Sequence, residues 1–349
     1  MTKIRDSYLY QEIHAQPERI FRLVEQNQSV YALRDAIGEQ KIQHVVIVAR
    51  GTSDNAGRYA KYLLGARNQM VVSLATPSLF TIYHQPPNLA GTLVIGISQS
   101  GQSPDINRVL EETRRQNALT AAICNDPRSQ LAQTAEYVLD IKVGVEHSIA
   151  ATKSYTGQLA MIALLSVALS NNGEALARMQ QLPEAMEAAL TTSAAAKDIA
   201  KKFQDVQHSA VIGRGYNYAT AFEVALKLKE LTYTIAEPYS SADFMHGPLA
   251  LVEPGFPLII IAPTGELKQE FLTFLQSTRD LGANLVAISD DADILAKVDC
   301  PLAFPASVPE WLSPLVTIIP GQLFSMHLAH IRGIDLDNPR AIRKVTKTV

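Results

Sequence analysis

Short unbroken apolar runs, each closed by Gly, Ser, Asn or Asp, punctuate the chain, and three of them return later at nearly one offset. His44–Gly51 matches His208–Gly215. Leu93–Ser98 matches Leu258–Pro263, and Ala118–Asp126 matches Ala283–Asp291. Runs of this kind read as strands buried on both faces, and the helical patterns between them imply parallel order. Asp54–Leu64 and Pro104–Asn117 read as crossover helices of the first copy. Thr152–Ser170 reads as a longer apolar helix ended by Asn171, Asn172 and Gly173, a C-cap signature. The Ala-rich stretch Glu174–Gln207 reads as helical and joins the copies. Residues before Lys41 predict a leading amphipathic helix with Leu23, Val24, Leu33 and Ile37 on its apolar side. The pattern therefore predicts two copies of one α/β unit, each a parallel sheet flanked by helices.

Composition narrows the setting. The 349 residues suit two domains, with 47% apolar and 19% charged residues excluding a mostly disordered chain. A net charge of −3 gives no electrostatic reason to expect nucleic acid or an anionic membrane. Two cysteines, Cys124 and Cys300, are too few for a disulfide framework or a cysteine zinc site. The N-terminal residues lack an apolar signal core, and the stretch Leu159–Leu169 is too short to span a bilayer. A cytoplasmic protein is expected.

The densest polar signal follows the second apolar run: Ser98, Gln99, Ser100, Gly101, Gln102 and Ser103, then Pro104 and Asp105. A hydroxyl-rich turn that opens a helix is an anion site, because backbone N–H groups and the helix dipole favour negative charge there. Helix capping by Ser103 is the plainer alternative, but three hydroxyls in six residues favour a phosphate. Arg50, Gly51, Thr52, Ser53 and Asp54 close the first run at the same edge, where Thr52 and Ser53 could donate to a sugar or a phosphate. The second copy has lost these hydroxyls, so one anion site per chain is expected. It carries instead Glu223, Lys227 and Glu230, within about 60° of one another on a helix that is otherwise largely apolar. His246 follows in a loop with Gly247 and Pro248, and a carboxylate with a histidine suits proton movement near neutral pH. The basic tail carries Lys344, open to a role as counter-charge or Schiff-base former, or to none as a solvated terminus. Neither metal-ligand spacing nor a dinucleotide fingerprint is present, so no cofactor is expected.

These residues, together with Ala151, Thr152 and Lys153 and with Gly213, Arg214 and Gly215, resemble the double sugar-isomerase (SIS) domain of glucosamine-6-phosphate synthase. The resemblance runs from about Tyr8 to the C-terminus. It implies two tandem flavodoxin-like SIS units: a helical segment over 1–40, SIS domains over 41–190 and 191–335, and a tail over 336–349 that closes over the active site. It implies phosphate contacts from Ser98, Gln99, Ser100 and Ser103, with Thr52 and Ser53 beside them and Ala151 and Thr152 near the sugar. Glu230 becomes the proton shuttle between C1 and C2, with Lys227 close by. His246 becomes the ring-opening acid/base, reaching in from the neighbouring subunit of a homodimer, and Lys344 bonds to or stabilises the open-chain sugar. Ala151 stands where the synthase has a sugar-contacting Ser, Gln102 replaces an acidic residue, and Asp243 replaces a Glu.

The chain carries no glutaminase segment, so the resemblance is closer to stand-alone SIS-type glucosamine-6-phosphate deaminases. The expected reaction is glucosamine 6-phosphate plus water giving fructose 6-phosphate and ammonia. The alternatives are galactosamine 6-phosphate deamination, a fructosamine 6-phosphate deglycase, simple aldose–ketose isomerisation, and a non-catalytic sugar-phosphate sensor. A phosphosugar is the expected partner, with neither nucleic acid nor membrane.

Overall fold

The computed structural model describes residues 4–26, 28–305 and 308–344. Among the described residues, ten strands form two five-stranded, all-parallel sheets. The first contains β1 (His44–Val48), β2 (Val71–Leu74), β3 (Thr92–Ser98), β4 (Leu119–Cys124) and β5 (Tyr137–Asp140) in the order β2-β1-β3-β4-β5. The second contains β6 (His208–Gly213), β7 (Ile235–Ser240), β8 (Pro257–Ile261), β9 (Asn284–Ser289) and β10 (Cys300–Ala303) in the order β10-β9-β8-β6-β7. Read from the other edge, this second order is the same as the first, and both are flavodoxin-like. The offset seen in three apolar runs holds, nearly unchanged, for all five strand pairs from β1 with β6 to β5 with β10, so the duplication extends to the whole unit.

The two sheets belong to separate compact units whose chain segments interleave. Among the described residues, the β1–β5 unit takes those within 18–146, 153–180 and 343–344, and the β6–β10 unit those within 4–17, 147–152 and 181–342. The leading segment is three helices, Tyr8–His14, Gln16–Gln26 and Ser29–Glu39, where one was expected. The first break falls at Ala15, and the first helix goes with the β6–β10 unit. The joining stretch is likewise three helices, Gly173–Gln180, Leu182–Leu190 and Ser193–Lys202, with Pro183 in the first turn of the second.

Each unit has its own core, and the two are built alike. Val48, Val94, Ala122 and Cys124 from the first sheet pack with Phe80, Ile106, Val109, Leu110 and Leu131. Ala210, Ile212, Leu258, Ile260, Leu285 and Ala287 from the second pack with Phe244, Phe271, Phe274, Leu275 and Ile294. Burial of such side chains supplies about 1.5–3 kcal/mol each, ample to specify the register of strands buried on both faces. The most apolar helix is not the one containing Leu159–Leu169 but Ser313–Ile331 of the second copy. By length and composition it could cross a membrane, yet its apolar window is wholly buried inside the protein. Cys124 and Cys300 are buried and not disulfide-bonded.

Candidate active site

In a flavodoxin-like sheet the order reverses beside the first strand, and the crevice beyond the strand ends opens there. Here that point lies between β1 and β3, whose registered pairing runs from His44–Thr92 to Val48–Gly96. The two turns singled out from the sequence leave the sheet at this point. The turn after β1 opens the helix Thr52–Asn68 with Gly51 as N-cap, at φ 53° and ψ −128°, a backbone state suited to glycine. The turn after β3 opens the helix Pro104–Arg115. An ion pair ties the two turns: Arg50 Nε donates to Asp105 Oδ2 at 2.7 Å, with the Asp105 side chain fully buried.

Two hydroxyls of the β3 turn accept from backbone amides of the same turn. Ser98 Oγ accepts from the Gly101 amide (3.1 Å), and Ser100 Oγ accepts from the Gln102 amide (3.4 Å). A serine that accepts from its own turn keeps its O–H proton for a ligand. Ser103 sits at the N-cap position, but its hydroxyl makes no capping bond, so the plainer reading of this residue does not hold. Gly101 has φ +62°, and a Cβ there would run into the Ser129 side chain. The turn is pinned from behind by the Leu131 amide on the Gly101 carbonyl (3.0 Å) and the Asn125 amide on the Gln99 carbonyl (3.3 Å). Ser53 is buried and its Oγ accepts from Gln158 Nε2 at 3.0 Å, which again leaves the hydroxyl proton to point elsewhere. Thr52 is half-buried at the start of its helix.

Lys344 belongs to this unit and is half-buried. Its Nζ lies 2.7 Å from Glu146 Oε2, and the Glu146 side chain has no exposed surface. Ser154 completes the carboxylate's shell through its amide (3.0 Å to Oε1) and its hydroxyl (2.7 Å to Oε2). Burial opposes the charged form of Glu146, but Lys344 and the Ser154 donors outweigh it and hold the carboxyl below its ordinary range.

The β6–β10 unit holds the acid/base candidates. On the helix Tyr218–Thr232 the fully buried Lys227 Nζ sits 3.3 Å from Glu223 Oε1 and 2.5 Å from Glu230 Oε2. Burial alone would favour the neutral amine, yet the charges of Glu223 and Glu230 prevail and raise the Lys227 pKa above that of an ordinary lysine. Of the three side chains only Glu230 shows appreciable surface, 24%, against 0% for Glu223 and 1% for Lys227. A carboxylate clamped on one side and open on the other can exchange a proton with a bound molecule. His246 caps the short helix Ser241–Met245, and its side chain is exposed. Among the described residues its ring makes no hydrogen bond and no ion pair, and none joins it to Glu230. Ala151 is half-buried and Thr152 buried, on the segment 147–152 that belongs to this unit. Two amides of that segment, His147 and Ser148, donate to the buried Glu12 carboxylate at 2.6 and 3.2 Å.

The expected phosphate residues thus belong to one unit, while Ala151 and Thr152, expected near the sugar, belong to the other, where Lys227 and Glu230 share one helix. Sequence reasoning missed Glu146, Gln158 and the Arg50–Asp105 pair. The last was within reach: Arg214 and Glu270 stand at the matching positions of the second copy and form the same bridge at 2.6 Å. Glu146 carries no local signal, since its partner lies 198 residues away.

The family model described as the SIS domain matches residues 40–168 and 202–332. A curated relative, the glutamine–fructose-6-phosphate aminotransferase [isomerizing] of Methanothermobacter thermautotrophicus, is 34% identical over 341 residues, covering 97% of this chain and 57% of its own length. The chain therefore spans little more than half the length of the curated relatives it matches. Among solved structures, the C-terminal domain of glucosamine-fructose-6-phosphate aminotransferase from Francisella tularensis superposes with a TM-score of 0.85 at 31% identity, over 95% of this chain and 98% of that one. The glucosamine-6-phosphate deaminase of Thermotoga maritima shares the fold, with a TM-score of 0.78 at 21% identity over 98% and 100% of the two chains. Two tandem matches on two sheets of one topology lead to a single assignment: the chain belongs to the SIS-domain family.

Proposed function

We propose that the chain is a cytoplasmic phosphosugar isomerase that converts glucosamine 6-phosphate and water to fructose 6-phosphate and ammonia. The observation that carries this reading is the Lys227–Glu230 pair, a carboxylate fixed by a buried cation and left open on its other side. The 6-phosphate is assigned to Ser98, Gln99, Ser100 and Ser103, with Thr52 and Ser53, as neutral donors to an anion. Ala151 and Thr152 are assigned to the sugar, and His246 to ring opening as acid/base in a homodimer, serving the neighbouring copy. Its exposed position, in a loop with Gly247 and Pro248, is compatible with that role.

In the open-chain aldehyde, Glu230 removes the C2 proton while O1 takes up a proton, which gives an enaminol. Glu230 returns its proton to C1, leaving an imine at C2. Water adds to the imine carbon and ammonia departs. Every step is a proton transfer or a hydration, and Lys344 stands as the counter-charge to the developing enolate-like oxygen.

A panel of glucosamine 6-phosphate, galactosamine 6-phosphate and fructosamine 6-phosphate, assayed for ammonia release, tests the substrate. Fructose 6-phosphate is assayed beside them for aldose formation. Release from glucosamine 6-phosphate is expected, with Glu230→Gln lowering kcat by about 10²-fold or more and leaving KM little changed. Interconversion of fructose and glucose 6-phosphates without ammonia release would favour simple aldose–ketose isomerisation, which needs the same Glu230 transfer. Binding of all four without turnover would leave a sugar-phosphate sensor and end the enzymatic reading.

A further inference from the structure

A fully buried carboxylate is costly unless a cation and hydrogen-bond donors meet it, and a basic chain end is costly to order unless something holds it. Glu146 and Lys344 solve both problems at once. The Glu146 side chain is sealed from solvent, with Ser154 donating to both of its oxygens and Lys344 lying at 2.7 Å. The neighbouring backbone is itself pinned, since Lys153 Nζ donates to the Val145 carbonyl at 2.5 Å. The socket is thus rigid, while Lys344 comes from the far end of the chain and keeps a quarter of its side chain exposed. Arg343, just before it, is exposed.

We infer that Glu146 is the positioning residue of Lys344: it seats the C-terminal lysine and so fixes where that positive charge is held during the reaction. The inference rests on the reading of Lys344 as counter-charge in phosphosugar chemistry. It also separates the two roles open to this lysine. An ammonium paired to a carboxylate has no lone pair with which to attack a carbonyl, so forming a Schiff base would first require Lys344 to leave Glu146 and shed a proton. The counter-charge role requires neither step.

The test uses the full chain with Glu146→Gln, Lys344→Met, the double variant and Ser154→Ala. Tail seating is read by the rate of tryptic cleavage after Arg343, followed by intact mass, and chemistry by kcat and KM for glucosamine 6-phosphate. Glu146→Gln should speed cleavage by about tenfold or more, because seating then no longer has an ion pair. Its kcat should fall by about tenfold with KM within about threefold, and the double variant should be no slower than the worse single one, as for two residues acting as a unit. Wild-type cleavage and kcat in a folded Glu146→Gln protein would overturn the assignment, as would losses that multiply in the double variant. Should Glu146→Gln fail to fold, Ser154→Ala keeps the charge and loses one donor, and cleavage should still rise about threefold; an unchanged rate then counts against it. If no phosphosugar is turned over by the wild type, the functional reading fails, while cleavage still decides whether Glu146 seats the tail.

Discussion

The two copies of one fold treat the same place in opposite ways. At the β1/β3 point, serine hydroxyls accept from their own turn or from Gln158 and hold their protons for something else. At the β6/β8 point the protein's own groups occupy the corresponding positions. Asn217, the counterpart of Ser53 in the second copy, is consumed by Ser313 (2.7 Å), Thr220 (3.1 Å) and Thr317 (2.7 Å). The Thr264 amide donates to Asp290 (2.7 Å) and the Glu266 amide to Glu310 (3.0 Å). The Glu310 carboxylate lies against both turns, near Gly215 on one side and Gly265 on the other. An internal anion thus stands at the point where the first copy is proposed to take an external one. The buried charges divide the other way. Glu223, Lys227 and Glu230 correspond to Tyr59, Leu63 and Ala66, so the first copy carries an apolar stripe where the second carries a charged one. On the proposed function, each unit keeps the fold and carries a different part of the chemistry.

The largest expected difference between the two points is at their glycines. Gly101→Ala meets both a left-handed backbone and the Ser129 side chain, which is held as the cap of its own helix. It should cost about 2–4 kcal/mol of stability and remove most phosphosugar binding. Gly265→Ala meets only the end of Glu310, a flexible side chain that can swing away. It should cost about 1 kcal/mol or less, with KM unchanged. Urea denaturation with steady-state kinetics on both variants checks the contrast, and equal costs would show that the second turn is as constrained as the first.

A smaller contrast separates binding from stability. Ser98→Ala combined with Ser100→Ala should raise KM for the phosphosugar by about tenfold or more and hardly move Tm, since the proposed function gives these hydroxyls to a ligand. Asn217→Ala should do the reverse, losing about 1–3 kcal/mol through three broken buried hydrogen bonds with KM unmoved. A KM effect from Asn217→Ala would place that turn in the binding machinery and break the comparison.

How much of this was legible in the sequence follows from where the signal lies. Central strands such as β3 and β8 are nearly all buried, so their apolar runs and their repeat stand out. The edge strands β2, β5, β7 and β10 carry exposed or half-exposed positions, as at Val71 and Ile235, and their patterns dissolve into the loops. Ser98–Ser103 and Glu223–Glu230 were legible because each is one local segment whose spacing carries its chemistry. Glu146 and Gln158 were not, because each acts through a residue more than 100 positions away and nothing in its own neighbourhood marks it.

The smallest effect probes the internal anion itself. If Glu310 fills the position that a phosphate takes in the first copy, Glu310→Ala should leave the Glu266 amide and the start of the helix Lys268–Asp280 able to accept an outside anion. The background for the test is Ser98→Ala with Ser100→Ala, so that the first site contributes little. One amide and a helix start make a weak site, with Kd on the order of 10 mM for inorganic phosphate. At about 50 mM phosphate that adds roughly 1 kcal/mol, a Tm gain of about 1–2 °C over the same background with Glu310 intact. Sodium chloride at matched ionic strength should give no such gain, since screening alone acts on both proteins alike. An identical phosphate response with and without Glu310 would mean that its carboxylate only braces the two glycine turns. The likeness between the two points would then end at the backbone.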